Sequence, residues 1–85
     1  MYLISTKPNV DKIFFKLSKK NQKQMQIIAD KIQQIAENPH HFKPLKGDMS
    51  GSRRVHFGHF ALTYEIDEEK QTVIILDYDH HDNIY

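Results

Sequence analysis

The apolar residues of this chain change their spacing once, and the change limits the folds open to it. Val10, Ile13, Phe14 and Leu17, and then Met25, Ile28, Ala29, Ile32, Ile35 and Ala36, recur at three- and four-residue intervals. That period lines one face of a helix. From residue 53 onward the apolar positions alternate instead: Val55 and Phe57, then Phe60, Leu62, Tyr64 and Ile66. Alternation puts every second side chain on one face of a strand. Residues 72–76 are continuously apolar, as expected of a central strand covered on both faces. Residues 2–5 read as one more short strand. Helices followed by strands point to the α+β class. The expectation is a single domain over residues 1–85, with an N-terminal strand and a helical hairpin packed on an antiparallel-dominated sheet.

The punctuation supports this division. Pro8 suits a first helical turn, where its fixed φ is favourable and its missing N–H is not needed. Residues 18–21 form a polar break between two helices. The second helix should stop at Asn38 and Pro39, because proline disfavours helix in the residue before it. Residues 40–52 read as a loop carrying Pro44, Gly47 and Gly51. Gly58 and His59 suit a two-residue hairpin turn with glycine at the first central position. That turn sets a register in which Phe57 faces Phe60, Val55 faces Leu62 and Arg53 faces Tyr64. His56 then faces Ala61, and Arg54 faces Thr63. Val55, Phe57, Phe60, Leu62 and Tyr64 should pack on the helices, leaving Arg54, His56, Ala61 and Thr63 on the open face. Residues 67–71 read as a polar turn.

With 85 residues, the chain supports one small core and has no room for a Rossmann domain or a barrel. The absence of cysteine excludes a disulfide framework, a thiolate zinc site and a cysteine nucleophile. No apolar run approaches the ~18 residues of a membrane span, and no signal peptide is evident at Met1. A cytoplasmic protein is the expectation. The net charge of +1 conceals a division. Residues 1–56 hold eleven of the twelve Lys and Arg against four acids, whereas residues 57–85 hold Lys70 against seven acids. A basic segment of this size suits a phosphate-rich partner, although solvated helix faces account for lysines equally simply.

Six histidines stand out: His40, His41, His56, His59, His80 and His81. Two imidazoles can divide general-base and general-acid work in one site. Attack of a ribose 2′-OH on its own phosphate needs that division and a cation to steady the charge that builds on phosphorus. His56 and His81 are candidates for the pair, and Arg54 or Arg53 for the cation. Asp77, Asp79, His80, His81 and Asp82 are the rival reading, a metal site of imidazoles and carboxylates. Tyr85 offers a flat ring on which a nucleobase can stack, or a plug for the edge of the core.

The order of these features resembles the RelE/ParE superfamily of toxins from type II toxin–antitoxin pairs. The run Pro44, Leu45, Lys46, Gly47, then Gly51 and Arg53, is similar to the "PLKG…G…R" segment of its YoeB and YafQ branches. Phe60, Ala61, Leu62, Thr63, Tyr64, Glu65 and Ile66 resemble its "YRLVYxI" strand. Residues 78–85 resemble its closing "GHRxxVY". The resemblance implies a RelE-like fold and a ribosome-dependent mRNA endonuclease that works without a metal or other cofactor. It further implies a cognate antitoxin as protein partner, with the ribosome and mRNA as targets. It departs at two places where relatives carry arginine and this chain carries Ala61 and His81. The histidine-using, YafQ-like branch fits better. It implies His56 and His81 as acid and base and Tyr85 as the terminal aromatic, while the register, with Arg54 able to reach across the small Ala61, makes Arg54 the main cation and Arg53 the alternative. Lys43, Lys46 and Arg53 then hold RNA. A non-catalytic, ParE-like poison of DNA gyrase or a catalytically decayed toxin is the alternative, and a metal-dependent hydrolase is a third.

Overall fold

The computed structural model describes residues 1–45 and 51–80. Strand β1 spans Leu3–Thr6, helix α1 Pro8–Lys20, helix α2 Gln22–Glu37, and strands β2, β3 and β4 span Ser52–Phe57, Phe60–Asp67 and Thr72–His80. A single 3-10 turn, Pro39–His41, follows α2. The fold is thus α+β, with two helices on a mostly antiparallel sheet.

Pro8 occupies the first turn of α1, and Lys19 and Lys20 sit in its last turn, where the helix dipole favours cations. The break between the helices is shorter than the polar residues suggest. Ser18 stays helical, with its hydroxyl donating back to the Phe15 carbonyl at 2.7 Å. Only Asn21 leaves the helical conformation, at φ −149°. Its backbone N–H donates to the Leu17 carbonyl and closes α1. Its side chain accepts from the Gln24 backbone N–H at 3.0 Å and opens α2. Asn38 ends α2 ahead of Pro39, as the proline requires.

The strands run in the order β1-β4-β3-β2. β1 pairs parallel with β4, and the remaining pairs are antiparallel. β1 lies one residue beyond its expected position, since the Tyr2 N–H is bonded to the Ala36 carbonyl rather than to the sheet. Gly58 has φ +64° and makes the tight turn between β2 and β3. The resulting register is the expected one in every pair, from Phe57 with Phe60 to Arg53 with Tyr64.

The core lies between the helices and one face of the sheet. Val10, Ile28, Ile35, Val55, Leu62, Tyr64, Val73, Ile75 and Tyr78 form it, with Phe57 and Phe60 packed partly buried against it. Each fully buried large aliphatic side chain among these stabilises the fold by about 1.5–3 kcal/mol. Ala29 falls outside this core and is exposed.

Strand β4 runs four residues past its apolar stretch, and a bulge explains how. Tyr64 pairs with Ile75 and Thr63 with Asp77, so Leu76 is an extra residue. One extra residue inverts the alternation that follows it. Tyr78 therefore joins Leu62 on the core face, and Asp77 and Asp79 turn to the open face. Only the helix-facing side of β4 is closed: Val73 and Ile75 are fully buried, whereas Ile74 and Leu76 are half-buried.

Candidate nucleic-acid site

The open face of the sheet carries two rows of side chains across β2, β3 and β4. One row is Arg54, Thr63 and Asp77, and the next is His56, Ala61 and Asp79. Paired residues on neighbouring strands point to the same face. The short members, Ala61 and Thr63, are buried, while His56, Asp77 and Asp79 are exposed at the flanks. Arg54 does not stay in its own row. Its Nη2 donates to Asp79 Oδ2 at 3.3 Å, across the full width of β3. The small methyl of Ala61 leaves the space for that crossing.

The two neighbouring arginines are divided by strand alternation. Arg53 shares the face of Val55 and Tyr64, and its Nη1 donates to the Phe42 carbonyl at 2.6 Å. Its guanidinium thereby ties the loop after α2 to β2 and lies on the opposite face from Arg54 and His56. Lys43 is exposed beside Pro44, which bridges to Arg53 along the outer edge of β2. Lys46, His81 and Tyr85 lie outside the described residues. Of the candidate residues, the structure brings together Arg54 and His56.

The rival metal cluster is split in the same way. Asp77 and Asp79 face the open side, whereas His80 pairs with Phe60 on the other. Among the described residues no three His, Asp or Glu side chains are placed to hold a metal ion. His81 and Asp82 lie outside those residues.

Two clusters of contacts have no clear signal in the sequence alone. His80 stacks on Phe60 with ring centroids 4.5 Å apart, and Phe60 stacks in turn on Tyr78 at 5.7 Å. The nearest hint of the first is the alternation of Tyr78 and His80 with two aspartates. At the far end of the sheet, Glu68 accepts from the Tyr2 hydroxyl at 3.1 Å and bonds His40 Nε2 at 3.0 Å. Loss of hydration, the hydrogen bond to Glu68 and that carboxylate's charge raise the Tyr2 phenol above its ordinary value.

Residues 4–85 match the family model of the ParE-like toxin of type II bacterial toxin–antitoxin systems. The chain belongs to this family. The toxin is 45% identical over its whole length to a Methanocaldococcus jannaschii protein designated a RelE4 toxin, of which it covers 92%. It is 49% identical to an uncharacterized protein of Methanosarcina mazei, with both chains covered in full. Its fold is that of the RelE-like toxins. It superposes on a chain of the toxin–antitoxin complex RelBE2 of Mycobacterium tuberculosis with a TM-score of 0.79, at 25% identity, covering 93% of this toxin and 96% of that chain. No helix among the described residues of the toxin is long and apolar enough to cross a membrane.

Proposed function

We propose that this toxin is an mRNA endonuclease that acts on the ribosome, without a metal, in the manner of the YafQ-like branch. The placement of Arg54 and His56 on one open sheet face, flanking the short side chains of Ala61 and Thr63, carries this reading. A phosphodiester laid on that face meets a cation and an imidazole together. In the reaction, one histidine takes the proton of the ribose 2′-OH, whose oxygen attacks its own 3′-phosphate. The bond to the 5′-oxygen of the next nucleotide breaks, and the second histidine protonates that oxygen. A 2′,3′-cyclic phosphate and a 5′-hydroxyl result. His56 and His81 are the acid–base pair. Arg54 stabilises the charge that develops on the phosphorane, where a fixed cation acts most strongly.

Tyr85 stacks on a base, and Lys43 and Lys46 hold RNA backbone through charge. Arg53 is proposed to contact RNA from the edge of β2. In the cell the protein partner is a cognate antitoxin, as in the M. tuberculosis complex. Leu3, Phe15 and Ile27, exposed at 68%, 63% and 45%, are apolar contacts available to it. The site of action is the cytoplasm.

The test is mRNA cleavage on programmed ribosomes kept intact in Mg²⁺, comparing wild type, His81→Ala, and wild type stripped of bound metal by prior chelation. Cutting by the wild type that falls about a hundredfold or more in the variant is the expected result for loss of an acid or base. No cutting by a folded wild type would overturn the reading in favour of a gyrase poison or a decayed toxin. Cutting lost after chelation of the toxin and restored by adding back a transition metal would return the metal-dependent alternative.

A further inference from the structure

Arg54 has a carboxylate in its own row of the sheet, Asp77, yet among the described residues it donates to Asp79, two residues further along β4. The side chain therefore leans out of the Thr63 row and into the row that holds Ala61 and His56. An arginine on an open sheet face has many rotamers, and most would carry its charge elsewhere. We infer that Asp79 is a positioning residue: its carboxylate sets the Arg54 guanidinium beside His56, where the reacting phosphate would lie. This rests on the nuclease reading.

The bulge at Leu76 is what makes the arrangement available. Without the extra residue, Asp79 would share the core face, and the open face would carry Tyr78 in its place. A carboxylate in a site that binds a polyanion weakens binding by repulsion, so its presence calls for a compensating gain. Orientation of the cation supplies one, because a charge stabilises the transition state only when it is aimed at the phosphate.

The two effects of Asp79 have opposite signs, which makes them separable. Asp79→Asn removes the negative charge but keeps an oxygen that accepts from Arg54. Asp79→Ala removes both. The experiment measures cleavage over a range of programmed-ribosome concentrations for the wild type and both variants, together with NMR order parameters of the Arg54 Nε–Hε group in the free toxin. Both variants should reach half-maximal rate at about fivefold lower ribosome concentration, the scale of one like-charge contact in water. Only Asp79→Ala should lose kcat, by about tenfold or more, and only there should the Arg54 Nε–Hε become mobile.

A merely structural role would not tighten binding while slowing the cut. Wild-type kcat in Asp79→Ala, or an Arg54 as ordered there as in the wild type, would overturn the inference. Failure of the nuclease reading is distinguishable, because it shows as absent cutting by the unmutated toxin. That result would remove the catalytic role of Asp79 as well.

Discussion

Arg54 and Asp79 belong to strands that are not neighbours, yet their side chains meet at 3.3 Å across β3. The contact draws the guanidinium across β3, whose side chains on that face are the short Ala61 and Thr63. Arg54→Ala should lower cleavage by about 10²–10³-fold, the scale of losing one donor aimed at developing charge. Lys12→Ala, on the outer face of α1, should change it little. The same Arg54 variant should lose no more than about 1 kcal/mol of stability, because the pair is partly exposed to solvent. Cleavage assays and thermal melts on the same preparations check both halves.

Two imidazoles that divide acid and base work give a bell-shaped rate profile in the range where histidine titrates. Cleavage should therefore peak between pH 5 and 8, at about pH 6–7, and His56→Ala should remove one limb of the bell. A flat profile over that range would take both histidines out of the chemistry.

Tyr64 links the core to the loop after α2. Its side chain is fully buried, and its hydroxyl donates to the Pro39 carbonyl at 2.6 Å. Burial pushes the phenol up to about 12 from its ordinary 10.0, against a smaller opposing pull from the Arg53 charge. A raised folded value means that the neutral form is the one the fold holds. The linked stability is complete below pH 10 and is lost as pH climbs toward about 12. Tyr64→Phe should cost about 1–3 kcal/mol at neutral pH by orphaning the Pro39 carbonyl. It should also flatten the alkaline decline, as urea titrations at pH 7, 10 and 11.5 would reveal.

At the β2–β3 turn, Gly58→Ala places a Cβ at φ +64°. The cost should be about 1–2 kcal/mol, read as a lowered Tm without loss of the folded sheet in circular dichroism. Leu62→Ala, in the fully buried centre, should cost more, about 2–5 kcal/mol.

Much of this arrangement was legible in the residues. The Gly58 turn determined the β2–β3 register, and with it the shared face of Arg54 and His56. The same register already placed Arg53 beside Tyr64, on the other face from Arg54 and His56. Residues 77–80 were harder to read. The apolar run ends at Leu76, and nothing in the residues after it says which face Asp77 and Asp79 take. A bulge leaves no mark in composition, and only pairing with Thr63 and Tyr64 reveals that the alternation has been inverted. The crossing of Arg54 to Asp79 depends on that inversion. Ser18, polar and followed by two lysines, reads as part of the break between the helices. Its hydroxyl instead finds a carbonyl within the helix.

The pairing of β1 with β4 has a consequence for how the toxin comes into being. β4, the last of the described strands along the chain, sits between β1 and β3, and it supplies Val73, Ile75 and Tyr78 to the core. A growing chain that still lacks residues 72–80 has no partner for β1, no cover for Leu62 and no Asp79. Local helices can form early, but the sheet must wait for a contact some seventy residues distant in sequence. The sheet, and with it the shared face of Arg54, His56 and Asp79, therefore assembles only once residues 72–80 are free to pair.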